Sequence, residues 1–273
     1  MELGPYRLHP HVLFELLAYF VAFRLYLRDR RRQGDFLDDP RRWWVIAAAA
    51  VGAALGARLL SLLECPAELW SGERFPVERF AGKTIVGAIA GGWFLVEMAK
   101  RFGRIESRTG DLLAIPLAVA IAVGRIGCLL TGVSDRTFGV ATELPWGFDL
   151  GDGVRRLPMP LFETLFLALL VLVLVRWRRR SPLRGDLFRG FVAAYFAYRL
   201  LVDFWKQADC RWLGLSAIQW VTVVGLAVLT PDLLRWIRSG GRSSEPGRSA
   251  GPGRPPATGE EPGPPFSPTE PKK

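Results

Sequence analysis

Apolar stretches long enough to cross a lipid bilayer recur along this chain, and roughly seven of them can be distinguished. Crossing about 30 Å of hydrocarbon takes about 20 residues of helix, and fewer where polar ends reach the interface. The repetition predicts an all-α, polytopic membrane protein. The predicted spans are 11–27, 43–63, 84–99, 111–131, 159–176, 187–205 and 213–236.

Positive charge alternates with these spans and predicts their orientation. The chain is 50% hydrophobic and yet carries a formal net charge of +10, a pairing typical of membrane proteins with basic cytoplasmic loops. Arginines and lysines are concentrated after the first, third and fifth spans, which places those loops in the cytoplasm. An odd number of spans then puts the N-terminus outside and the C-terminus inside the cell.

Composition changes near Ser239 and divides the chain into two regions. Residues 1–238 form the predicted transmembrane domain. Residues 239–273 are rich in Gly, Pro, Ser and Glu, cannot bury apolar surface, and are predicted to be a disordered cytoplasmic tail.

Metal-ligating residue types are few and show no binding motif. The chain has three cysteines, at positions 65, 128 and 210, and two histidines, at positions 9 and 11. None of them forms a CxxC or similar pattern, so the sequence predicts no metal site and no cofactor. A disulfide between Cys65 and Cys210 remains an alternative, because both lie in loops predicted to be outside.

Arg125 lies inside the fourth span, between Gly124 and Gly127. Small residues in membrane helices permit close approach of another helix or of a lipid headgroup, and a guanidinium group binds phosphate with two hydrogen bonds. Arg125 is therefore a candidate phosphate ligand. The alternative is a buried arginine that binds neighbouring backbone carbonyls.

A polar stripe on the sixth span adds a second candidate group. Tyr195, Arg199 and Asp203 are spaced four residues apart and share one helix face. Glu163, near the outer end of the fifth span, is placed to orient an arginine or accept a proton. Arg199 and Asp203 alternatively form an ion pair that only neutralises two charges inside the membrane.

Several motifs, taken in order, resemble the bacterial prolipoprotein diacylglyceryl transferase family, and together they cover most of residues 10–236. They are GARL at 56–59, GKTIVGAIAGG at 82–92, GRIGCLLTG at 124–132, LPWG at 144–147, PLFE at 160–163 and the stripe from Tyr195 to Asp203.

The resemblance implies that diacylglyceryl moves from phosphatidylglycerol to the lipobox cysteine thiol in the signal peptide of a prolipoprotein, at the bacterial inner membrane. Arg125 would bind the phosphate and Arg199 the leaving group, oriented by Asp203 and Glu163. Tyr195 would hydrogen-bond Arg199. Further substrate-binding candidates are Gly124, Gly127, Arg58 and Gly87. The resemblance implies no nucleic-acid partner.

The chain departs from the better-known branch of that family at four positions. Val86 stands near a usual histidine, Cys128 at a usual asparagine, Val133 at a usual glutamate, and Glu15 at a usual tyrosine of the first helix. Asp203 replaces a glutamate conservatively. Without a histidine in the membrane core, a general base must be a carboxylate, a tyrosine or water.

Two other functions remain open on the sequence alone. The same polar cavity would suit a membrane protein that binds or transports lipid without chemistry. It would also suit a transferase that uses a different acceptor.

Overall fold

A computed structural model describes residues 2–3, 6–7, 10–33, 39–64, 82–105, 109–135, 137–180, 183–206 and 210–238. The predicted tail at 239–273 and Cys65, with its alternative disulfide, lie outside these described residues.

Long α-helices dominate the described residues and coincide with the seven predicted spans. They are α1 (Pro10–Gln33), α2 (Asp39–Leu63), α3 (Ile85–Phe102), α4 (Asp111–Thr131), α5 (Met159–Arg178), α6 (Asp186–Val202) and α7 (Ala217–Arg238). Five of them, α1, α2, α4, α5 and α7, are long and apolar enough to cross a membrane. The chain is therefore a multi-pass helical membrane protein. That α3 and α6 also cross, and in which direction, stays a prediction.

Small residues allow α2 and α3 to pack with their backbones almost touching. A Cβ atom added to Gly56 would collide with the carbonyl oxygen of Gly87, and one added to Gly91 would collide with the carbonyl oxygen of Gly52. Apolar side chains gain little from association inside lipid, so this close van der Waals contact stabilises the helix pair. The glycine-rich segment 82–92 thus positions α3 against α2.

Apolar side chains of α4 to α7 form the centre of the described bundle. Phe191, Tyr195 and Phe196 of α6 are fully buried, as is Leu167 of α5. Large apolar side chains on the outer helix faces, such as Phe20, Leu55 and Leu172, are exposed in the isolated chain. This distribution is that of a helix bundle surrounded by lipid.

Ion pairs join the helices at the end of the bundle where α5 and α7 terminate. Arg178 of α5 binds Asp29 of α1 with an N to O distance of 2.6 Å, and Arg189 of α6 binds Asp232 of α7 at 2.8 Å. Asp111 at the start of α4 accepts a hydrogen bond of 3.0 Å from the backbone N–H of Phe188. These contacts join α1 to α5, and α4 and α7 to α6, at this end of the bundle.

The opposite end carries a long connection between α4 and α5. It begins with the 3-10 helix Gly132–Asp135 and contains the short antiparallel strands Phe148–Asp149 and Arg155–Arg156. The LPWG segment is held by Arg155, which donates to the carbonyl oxygens of Gly147 and Pro145 at 3.2 Å. A second 3-10 helix, Asp203–Trp205, follows α6 at this same end. Two short strands, Glu2–Leu3 and Tyr6–Arg7, pair antiparallel before α1.

Gly91→Ala should destabilise the α2 and α3 pair, because the new methyl group meets the backbone oxygen of Gly52 rather than a side chain that can move. Overpacking of this kind costs about 1–3 kcal/mol. We expect a lower thermal unfolding midpoint in detergent, measured by fluorescence-detected size exclusion.

Gly124→Ala is the matched control, since a Cβ atom at Gly124 meets no atom within 4 Å. Equal midpoints for the two variants would show that the close contact at Gly91 does not contribute to stability.

Candidate active site

The ends of three helices bring buried charged side chains to one place. Arg125 lies two turns before the end of α4, Glu163 lies in the first turns of α5, and Arg199 lies in the last turn of α6. All three side chains are buried, with residue exposures of 7%, 1% and 4%. The chain connections place these helix ends at the same end of the bundle as the 3-10 helix Asp203–Trp205.

Glu163 is the centre of this group. Its Oε2 lies 2.9 Å from Nε of Arg125 and 3.3 Å from Nη1 of Arg199. Its Oε1 accepts a hydrogen bond of 2.7 Å from the hydroxyl group of Tyr195. One carboxylate therefore holds two guanidinium groups from different helices beside each other.

Asp203 extends the group toward α7. Its Oδ1 lies 3.2 Å from Nη2 of Arg199, and its Oδ2 accepts a hydrogen bond from the hydroxyl group of Ser216. Gln219 in turn accepts a hydrogen bond from the backbone N–H of Ser216 and donates to the carbonyl oxygen of Leu200. Asp203 is thus positioned from both sides.

The equal number of positive and negative charges lowers the energetic cost of burying these side chains. Two guanidinium groups face two carboxylates, and burying an unpaired charge in an apolar medium costs several kcal/mol or more. Nε of Arg199 is one of several buried polar side-chain atoms that have no hydrogen-bond partner among the described residues. Such a donor set suits a ligand with several acceptor oxygens, such as a phosphate group.

The prediction that Tyr195 hydrogen-bonds Arg199 is wrong. The hydroxyl group of Tyr195 donates to Glu163 instead, so Tyr195 acts on Arg199 only through that carboxylate. The four-residue spacing of Tyr195 and Arg199 predicted that they share a helix face. It could not show that the carboxylate of Glu163 on α5 contacts both of them.

The other predicted binding residues occupy different environments. Next to Gly124 there is open space, whereas Gly127 packs against Phe14 of α1, and Gly87 packs against Gly56 of α2. Arg58 is exposed on α2 and has no described contact with the buried charged group. Of these candidates, Gly124 is the one that leaves room beside Arg125.

A second polar cluster adjoins Arg125 and was not expected. Nη1 of Arg125 lies 3.8 Å from Sγ of Cys128, which lies 3.8 Å from Nδ1 of His11 at the start of α1. Nδ1 of His11 also lies 2.8 Å from Oδ1 of Asp135. The donor atoms of His11, Cys128 and Asp135 all lie within 4.8 Å of one another, close enough to share a metal ion. The sequence predicted no metal site, because its cysteines and histidines form no binding motif.

Glu15 connects this second cluster to the segment just before α3. It lies 3.9 Å from Nε2 of His11, one turn earlier on α1, and 3.1 Å from Nζ of Lys83. The hydroxyl group of Tyr19 also donates to Glu15 at 3.0 Å. In the sequence, the four-residue spacing of His11 and Glu15 on an apolar helix was the feature that could have indicated this cluster.

Lys206 is a further residue that the sequence did not single out. It follows the end of α6, is partly buried, and pairs through its backbone with Gly139. Burial, together with the positive charges of Arg199 and Arg125, lowers the pKa of Lys206 to about 7. Its charge therefore changes near neutral pH.

The chain is similar to proteins of one family over most of its length. The family model described as prolipoprotein diacylglyceryl transferase matches residues 1–231. Relatives named phosphatidylglycerol–prolipoprotein diacylglyceryl transferase include one from Geobacter sulfurreducens, 29% identical with 79% of this chain and 84% of the relative covered. Another, from Methylococcus capsulatus, is 27% identical with coverages of 86% and 90%. A third, from Idiomarina loihiensis, is 30% identical with coverages of 76% and 78%.

Glu163→Ala should destabilise the protein more than any surface substitution, because it leaves Arg125 and Arg199 buried without their shared carboxylate. Removing one partner of a buried ion pair costs about 3–5 kcal/mol. We expect a large drop in the thermal midpoint, with Glu163→Gln intermediate because it keeps the shape and one acceptor oxygen.

Glu143→Ala provides the comparison, since Glu143 is exposed in the connection between α4 and α5. A Glu163→Ala variant as stable as Glu143→Ala would contradict a central structural role for the Glu163 carboxylate.

Proposed function

This chain belongs to the prolipoprotein diacylglyceryl transferase family, and from that premise we propose that it transfers diacylglyceryl from phosphatidylglycerol to the lipobox cysteine of a prolipoprotein. The thiol sulfur forms a thioether bond with the glyceryl carbon, and glycerol phosphate leaves. The observation that carries this proposal is the convergence of Arg125 and Arg199 on one carboxylate oxygen of Glu163.

The proposal places the protein in the bacterial inner membrane with all seven helices crossing it. The N-terminus and the buried charged group then lie toward the outer face, and the arginine-rich loops lie in the cytoplasm. Support comes from the positive charge of the loops after α1, α3 and α5. This placement gives the site access to a signal peptide that has been translocated to the outer face.

Arg125 binds the phosphate of the lipid donor in this proposal. Its Nε faces Glu163, which leaves its terminal nitrogens outside that ion pair. Open space adjoins Gly124, and Ile126 and Leu130 on the same stretch of α4 are exposed. A phospholipid can therefore approach Arg125 sideways from the bilayer while its acyl chains stay in lipid.

Arg199 stabilises the charge that develops on the leaving glycerol phosphate. A guanidinium group fixed in a dry site is already oriented when charge appears, so little reorganisation is needed during the reaction. Glu163 and Asp203 hold the guanidinium group from two sides, and Tyr195 holds Glu163. These three are positioning residues for Arg199 in the proposal.

Gly87, Gly127 and Arg58 have indirect roles in the proposal. The two glycines let α3 and α1 approach α2 and α4, which brings the helices around the site together. Exposed Arg58 contacts lipid headgroups near the end of α2.

Arg125→Ala and Arg199→Ala should each reduce thioether formation about a hundredfold or more, as removal of a fixed donor to a developing charge does in other enzymes. The assay uses the purified chain in phosphatidylglycerol vesicles with a prolipoprotein peptide, and mass spectrometry identifies the product. Complementation of cells depleted of their own transferase provides the independent test in vivo.

Arg101→Ala is the matched control, because Arg101 is exposed in the last turn of α3, away from the buried group. Full activity of both Arg125→Ala and Arg199→Ala would refute the assignment. Bound lipid without any product would favour lipid binding or transport, and a product on another molecule would favour a different acceptor.

Affinity for phosphatidylglycerol should fall as pH rises through about 7, where Lys206 loses its proton and the site loses one positive charge. The Michaelis constant for the lipid, measured between about pH 6 and pH 8, should rise severalfold. Lys206→Arg should remove the dependence because arginine stays charged throughout this range.

Lys206→Gln should show the weaker affinity at every pH. A wild-type Michaelis constant that does not change with pH, or that changes equally in Lys206→Arg, would contradict the role of Lys206.

A further inference from the structure

The acceptor thiol must lose its proton before or during attack, because the thiolate is the reactive nucleophile. The described helices that contain the buried charged group have no histidine. Glu163 is already engaged by two guanidinium groups and a hydroxyl group. The buried group can therefore bind phosphate, whereas both of its carboxylates are already engaged, Glu163 as described and Asp203 by Arg199 and Ser216.

We infer that His11, Cys128 and Asp135 form a zinc site that binds the acceptor cysteine as a thiolate, an inference that rests on the proposed transferase function. The three residues come from the start of α1, the end of α4 and the following 3-10 helix. Their combination of imidazole, thiolate and carboxylate suits Zn²⁺.

The three donor atoms lie within 4.8 Å of one another, close to the spacing of shared coordination. Zinc binds sulfur at about 2.3 Å and nitrogen or oxygen at about 2.0–2.2 Å, so two ligands of one tetrahedral ion are about 3–4 Å apart. Sγ of Cys128 lies 3.8 Å from Nδ1 of His11, and Oδ1 of Asp135 lies 2.8 Å from that same nitrogen. A small opening of the His11 and Asp135 contact would admit the ion.

Three protein ligands leave a fourth position for a substrate, which is the arrangement of catalytic rather than structural zinc sites. Cys128 is buried, whereas the side chain of His11 is 37% exposed. The fourth position can therefore face outward, toward an arriving peptide. Glu15 lies 3.9 Å from the other ring nitrogen of His11 and is held by Lys83, so it can orient the ring as outer partners of metal-bound histidines do.

Arg125 connects this zinc site to the phosphate site. Its Nη1 lies 3.8 Å from Sγ of Cys128, while its Nε lies 2.9 Å from Glu163. A thiolate bound to the zinc ion would thus stand beside the guanidinium group that holds the donor phosphate. The two substrates of the proposed reaction meet at one residue.

The chemistry balances without an oxidant or reductant. Zinc binding releases the thiol proton to water, since a thiol that coordinates a metal is deprotonated. The sulfur electron pair then forms the C–S bond to the glyceryl carbon, and the C–O bond to phosphate breaks. Glycerol phosphate leaves with that electron pair beside Arg125 and Arg199.

The test uses the full chain purified without a histidine tag, loaded with Zn²⁺ or with Co²⁺ as the spectroscopic probe. We expect about one metal ion per chain and an intense thiolate-to-cobalt absorption band. A lipobox peptide should strengthen this band as its thiolate joins the ion, whereas the same peptide with serine in place of cysteine should not. Removing zinc with a chelator should reduce thioether formation at least tenfold, and added zinc should restore it.

Cys128→Ser and His11→Gln should abolish the band and the metal content. Cys210→Ser, which removes a cysteine outside the cluster, is the matched control and should retain both. Substoichiometric metal, a band that survives in Cys128→Ser, a spectrum unchanged by the cysteine peptide, or full activity after chelation would each overturn the zinc site. Absence of product from the zinc-loaded wild type in phosphatidylglycerol vesicles would instead refute the transferase function itself.

Discussion

A single buried carboxylate, that of Glu163, makes the rest of the charged group possible. Two guanidinium groups could not remain side by side in a low-dielectric bundle without an anion between them. Glu163 contacts both Arg125 and Arg199 through the same oxygen, while Tyr195 donates to the other. The Glu163 carboxylate thereby offsets the repulsion between the two guanidinium groups. Both groups are in position before any substrate binds.

Close helix packing and ion pairs fix the positions of the helix ends that contain the buried charged group. Glycines let the backbones of α2 and α3 almost touch and let Phe14 of α1 pack onto α4, while ion pairs join α1 to α5 and α6 to α7 at the far end. Ion pairs thus stabilise one end of the bundle, and close glycine contacts stabilise its interior. Functional groups collect at the other end, where α4 and α6 terminate and α5 and α7 begin, and where the connecting loop between α4 and α5 lies.

Arg125 lies between two clusters of different chemistry. On one side, Arg125 joins Glu163, Arg199 and Asp203 in a charge-balanced group of two guanidinium groups and two carboxylates, the proposed phosphate site. On the other side, Cys128, His11 and Asp135 offer soft and hard metal donors. Cys128 therefore lies at the contact between these clusters, and the inferred zinc site takes its imidazole from the first helix.

The sequence alone determined the helices, because apolar length is a local property: all seven predicted spans coincide with helices, differing by a few residues at their ends. It also indicated that Arg125, Glu163, Arg199 and Asp203 belong together, through their cost in a membrane and the family motifs. Only the tertiary structure decided that Tyr195 serves Glu163, that Ser216 holds Asp203, and that His11 meets Cys128 and Asp135. Those contacts join residues on different helices, and the crossing of helices depends on side-chain packing across the whole bundle, which spacing along one helix does not encode.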